Sequence, residues 1–79
     1  MRAREAYRVI VRRGGMMPAL LAQHDRVDHV EVVAIDDGEV VLFWDCAPQR
    51  GKKLARSLRE ELSLLDAEEF MAHWRTVRG

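Results

Sequence analysis

A single cysteine, Cys46, is present in the 79 residues. That excludes an internal disulfide and a structural zinc site built from several thiolates. No apolar stretch approaches the roughly 18–20 residues that cross a bilayer. Met1-Arg2-Ala3-Arg4-Glu5 is not followed by the apolar segment of a secretory signal, so a cytoplasmic chain without a membrane partner is expected. An excess of one charge is also missing. Thirteen basic side chains balance thirteen acidic ones, and the total advertises neither nucleic acid nor an anionic surface. Repeats, low-complexity tracts and linkers are absent, as is any glycine-rich nucleotide loop, and no pattern implies a cofactor. The chain is 48% apolar and 33% charged, which suits one modest core and a single domain over residues 1–79.

The balanced total conceals segregation. Residues 1–24 hold five arginines and one glutamate, whereas residues 25–49 hold seven acids and one base, Arg26. A basic block follows at Arg50, Lys52, Lys53, Arg56 and Arg59, then an acidic one at Glu60, Glu61, Asp66, Glu68 and Glu69. Blocks of alternating sign attract one another within a domain or across a dimer.

The clearest local signal is a hairpin. His29–Ile35 reads H-V-E-V-V-A-I and Glu39–Trp44 reads E-V-V-L-F-W, both rich in the β-branched and aromatic residues that suit a pleated surface. Asp36-Asp37-Gly38 lies between them, and Asp-Gly is favoured at the two positive-φ positions of a type I′ turn. With Asp37 and Gly38 central, Ile35 faces Val40, Ala34 faces Val41 and Val33 faces Leu42. One side then carries Val33, Ile35, Val40, Leu42 and Trp44, and the other Val30, Val32, Ala34, Val41 and Phe43. Both sides are apolar, whereas a sheet with one wet face alternates. Each side is therefore expected to be covered.

Tyr7–Arg12 alternates apolar and basic residues and predicts an earlier strand, ended by Gly14-Gly15. Met16–His24, with Pro18 in a first turn, reads as a short helix or an irregular loop. Leu54, Leu58, Leu62 and Leu65 form one stripe of a helix over about residues 50–65, preceded by Pro48 and loosened at its start by Gly51. Asp66 with Glu69 three residues on opens a second helix over about 67–77, bearing Phe70, Trp74 and Val77. The fold expected is a small two-layer α+β domain. It has a three-stranded sheet in β-(α)-β-β-α-α order and two C-terminal helices, a truncated ferredoxin-like layout.

Several residues carry chemistry in principle. Cys46 ends a strand and precedes a helix, a position where the helix N-terminus stabilises a thiolate, but Gln49 stands where a C-x-x-C motif needs its second cysteine. The following segment falls short of two phosphate loops. Lys52 occupies the place of a phosphatase arginine, and Lys53 that of the P-loop hydroxyl. Arg50, Lys52 and Lys53 at a helix start still offer an anion contact. His24, Asp25, Asp28 and His29 cluster in sequence, with His73 far away. Their spacing converges on no metal site. Neighbouring acids such as Glu60/Glu61 point about 100° apart on a helix, and Ser57 and Ser63 have no triad partner.

These features favour a small non-catalytic interaction or regulatory protein. It would act by self-association as a homo-oligomer, or by binding a partner protein, through the sheet face that the helices leave free. The interface would be Val33, Ile35, Leu42 and Trp44, or the opposite set Val32, Val41 and Phe43. One alternative is a nucleic-acid module using Arg8, Arg12 and the 50–59 block, with Tyr7, Phe43 and Trp44 for stacking, against which the acidic hairpin stands. Another is a thiol-dependent enzyme using Cys46.

Overall fold

Three apolar, β-branched segments build a three-stranded antiparallel sheet: β1 (Tyr7–Arg12), β2 (Asp28–Ala34) and β3 (Val40–Cys46), in the order β1-β2-β3. A one-turn helix, α1 (Ala3–Ala6), precedes the sheet, and α2 (Pro48–Leu64) and α3 (Ala67–Trp74) follow it. The computed structural model describes residues 1–12 and 27–77, so the helix or loop expected at Met16–His24 lies outside the described residues. The α+β class, the three strands and the two C-terminal helices agree with the sequence reading. The ferredoxin-like pairing is not the one found. A plait runs its first two strands parallel with another strand between them, whereas β1 and β2 are antiparallel neighbours. Strand patterning does not encode that choice, because it depends on the path of the connecting segment.

The hairpin differs from expectation in a way that decides which residues face where. Ala34 N–H donates to the Glu39 carbonyl at 2.8 Å, and Gly38 N–H to the Ala34 carbonyl at 2.9 Å. The loop is thus four residues, Ile35 to Gly38, with Glu39 N–H donating to Asp37 Oδ1 at 3.0 Å. A type I′ turn needs two positive-φ residues. Among the described residues only Gly38 has one, at +74°, so Asp37 does not take the second. An irregularity between Val32 and Val33 shifts the register again. Val33 pairs with Val40, Val32 with Leu42 and Val30 with Trp44, replacing the expected Val33–Leu42 and Ile35–Val40 pairs. A one-residue slip moves side chains to the other face. Leu42 and Trp44 therefore join Val30 and Val32, while Phe43 lies opposite Glu31.

The helices cover the Val30/Val32 face. α2 buries Gly51, Ala55, Leu58 and Leu62, a stripe rotated from the leucine-only one, with Leu54 and Leu65 merely packed at its margin. Gly51 marks a close approach that leaves room for a methyl group but not for a branched side chain. A Cβ there would stand 3.4 Å from Cys46 Sγ and 3.7 Å from Val30 Cγ2, so the helix start lies close on the sheet. α3 adds Phe70, stacked on Tyr7 at 5.8 Å, and Trp74, edge-on to Trp44 at 6.1 Å. The Trp44 indole N–H donates to the Val77 carbonyl at 2.8 Å. Leu58, Phe70, Val30 and Val32 are fully buried, each worth about 1.5–3 kcal/mol of apolar burial.

The bend between α2 and α3 is held from the N-terminus. Ala3 N–H donates to the Leu65 carbonyl at 3.0 Å and Ala67 N–H to the Met1 carbonyl at 2.9 Å. α1 carries no periodic signal, because one turn is too short to show one. α3 opens with the expected capping box, in which Asp66 N–H donates to Glu69 Oε1 at 3.3 Å. The Met1 amino group and then the Ala67 N–H hold the Asp66 carboxyl below its ordinary range.

Two outcomes follow. Gly51→Ala retains the fold in urea titrations and gains up to about 1 kcal/mol from helix propensity, whereas Gly51→Ile forces α2 off Cys46 and Val30 and loses about 1–3 kcal/mol. The folded pKa of Asp66 is lowered, so its contribution is complete above the ordinary carboxylate range and is lost as pH falls through the folded value. Melting curves of Asp66→Asn are therefore less acid-sensitive than those of the parent, and equal acid slopes would contradict the assignment.

Candidate functional site

The sheet face turned away from the helices is laid out as rows by the strand register. Arg8, Val33 and Val40 form one row, Ile10, Glu31 and Phe43 the next, and Arg12, His29 and Asp45 the third. β1 thus contributes an arginine at each end of its column, and β3 ends its column in an acid. Phe43 is 50% exposed, Val40 46% and the neighbouring loop residue Ile35 45%. Ile10 and Val33 are half-buried. A shallow hollow of about 170 Å³ opens among Arg8, Ile10, Val33 and Ile35. The polar members satisfy one another locally. Arg12 Nε lies 3.3 Å from Glu31 Oε1, His29 Nδ1 bonds Asp45 Oδ1, and the His29 ring stacks on Phe43 at 5.5 Å.

Neither expected interface set sits together. Phe43, Val33 and Ile35 belong to this outer side. Trp44 and Val32 are buried under the helices, and Leu42 and Val41 are half-buried against the same core. Val40, which sequence reasoning left out of both sets, stands beside Val33. The signal for it is present in the alternating run, but the register that sets it opposite Val33 depends on the four-residue loop.

Cys46 is buried on the helix side, and burial, followed by the Asp28 carboxylate, pushes its thiol up, with Arg50 opposing and Asp45 adding. A raised thiol is protonated at neutral pH, the reverse of what an attacking thiolate needs. Asp28 lies beside Cys46 on the helix side while His29 points outward, so the H-D-R-V-D-H segment is divided between faces; His24 and Asp25 lie outside the described residues. His73 Nδ1 bonds Glu61 Oε1 at 2.7 Å. Among the described residues no group of three or more His, Cys, Asp and Glu is placed to hold a metal ion, and no helix is long and apolar enough to cross a membrane.

The stacking trio of the nucleic-acid alternative is dispersed. Tyr7 is stacked on Phe70, Trp44 is buried, and Phe43 alone faces out. Arg50, Lys52 and Lys53 are exposed on the first turns of α2, and among the described residues no carboxylate of the acidic hairpin reaches them. Comparison with family models, curated proteins and solved structures returns no match.

The thiol has a direct check. Cys46 in the folded protein reacts with an aromatic disulfide reagent at neutral pH far more slowly than in denaturant; equal rates would show an accessible thiolate.

Proposed function

We propose that this chain is a non-catalytic association module that pairs with a second copy of itself through the outer sheet face. The observation that carries this is the exposed apolar group Ile35, Val40 and Phe43 beside the hollow on the side turned away from α2 and α3. The face is also self-complementary. A two-fold axis parallel to the strands sets β1 of one copy over β3 of the other, as an isologous contact requires. Phe43 then meets Ile10 and the hollow beside it, and Arg12 meets Asp45. Tyr7, Trp44, Phe70 and Trp74 do not take part, being turned into the core.

Magnitude sets the character of the pairing. Strands about 4.8 Å apart and about 20 Å long give a footprint well below the roughly 800 Å² that each partner of a standard complex buries. Association is therefore concentration-dependent, and the subunit keeps its fold alone because its core is closed by α2 and α3.

Sedimentation across a concentration series shows a reversible monomer–dimer equilibrium for the parent protein. Phe43→Lys places a charge in the contact and yields monomer throughout, with unchanged far-UV circular dichroism. Trp44→Ala acts differently, costing about 3–5 kcal/mol of folding stability. A parent protein that stays monomeric at the highest soluble concentration, or a Phe43→Lys variant that associates as before, sinks the proposal.

A further inference from the structure

A second surface, on the other side of the sheet, combines an open strand edge with a row of cations. The edge follows from the hydrogen-bond phase of β1 and β2. Ile35 N–H donates to the Ala6 carbonyl at 3.0 Å, in line with the pairing that places Tyr7 opposite Ala34. Hydrogen-bonded and non-bonded pairs alternate along an antiparallel ladder. Arg8, Ile10 and Arg12 consequently direct their backbone groups at β2, while Val9 and Val11 direct theirs outward. β1 is an edge strand, and among the described residues no strand pairs with that outward side.

The cations come from α2. Lys52, Arg56 and Arg59 line an open trough of about 750 Å³ with Val11, Ala55 and Ser63. Their i, i+4, i+7 spacing puts them on one helical line, about 6 and about 4.5 Å apart along the axis. None of the three makes an ion pair with another described residue, whereas Glu61 on the same helix is taken by His73. Two acids also border the trough, Asp28 and Glu60. Asp28 is engaged in contacts of its own, and Glu60 leaves the row in cationic excess.

We infer that this trough binds an extended acidic peptide of a partner protein, added along β1 as a fourth strand. Its backbone bonds the outward N–H and C=O groups of Val9 and Val11, the mode by which strand edges recognise peptides. Alternate side chains of the added strand fall on the helix side, about 6.8 Å apart, close to the spacing of the cations. Asp or Glu at those positions meets Lys52, Arg56 and Arg59. A nucleic-acid strand fits less well. Its phosphates satisfy the cations, but a strand edge presents carbonyl acceptors beside its donors, and these repel a phosphate.

Fluorescence anisotropy on the full chain tests this with a short labelled peptide of alternating Glu and Val. Saturable binding is expected, about tenfold tighter than for a peptide of equal composition with its Glu residues contiguous. Arg56→Glu and Arg59→Glu, both at exposed positions, each weaken binding by about tenfold, equivalent to about 1.4 kcal/mol, with unchanged circular dichroism. Methylating alternate backbone amides of the probe, which leaves its charge intact, abolishes binding. The inference is overturned by absence of saturable binding, by equal binding of the contiguous or the methylated peptide, or by tighter binding of oligo-dT. The Phe43→Lys monomer binds the peptide as well as the parent does, because the two surfaces lie on opposite sides of the sheet.

Discussion

The close seating of α2 on the sheet is the contact from which the other features follow. Gly51 presents no side chain to Cys46 and Val30, Ala55 is buried one turn on, and the helix start lies directly against the ends of β2 and β3. Leu58 and Leu62 then continue the seam across the sheet. This contact closes the helix-side face over Val30 and Val32, neither of which has any exposure. It also brings α3 round so that Phe70 and Trp74 meet Tyr7 and Trp44. The opposite face is left with no helix on it among the described residues. Among the described residues α2 and α3 shield one side of the sheet, and the apolar residues Phe43 and Val40 are left at the surface.

Charge is arranged by the same geometry. The acidic hairpin tip and the basic start of α2 lie at opposite ends of β3, whose seven residues separate them by about 23 Å at strand rise. That exceeds the Debye length of about 8 Å at physiological ionic strength. The hairpin-tip acids therefore do not neutralise the start of α2, whereas Arg12 of the first basic block does pair with Glu31 of the acidic one. A chain with no net charge thus displays separate surfaces of distinct character: an apolar patch on one side of the sheet, and a cationic row beside a strand edge on the other.

Sequence patterning conveyed a good part of this. The strands, the two C-terminal helices and the capping box at Asp66 were legible because each rests on local chemistry: alternation, a repeat of three and four, a carboxylate three residues before a glutamate. The apolar surplus of the hairpin was legible too, since it is a property of composition. The site residues were less so. Phe43 and Trp44 lie on opposite faces, as alternation predicts, yet their neighbours on β2 are exchanged: the four-residue loop moves the register by two and keeps each face, and the one-residue irregularity between Val32 and Val33 then swaps them. The role of Gly51 was also hidden, for a residue without a side chain gives no periodic signal.

The amino-acid sequence by itself determined the three strands, the two C-terminal helices and the excess of apolar strand surface, since these depend on backbone preference and on counting. Tertiary structure decided the strand order, the register across Val32 and Val33, and the burial of Trp44 in contrast to the exposure of Phe43. Those choices depend on how the strands pair and on how closely α2 approaches the sheet, and they are settled by contacts between residues distant in the chain.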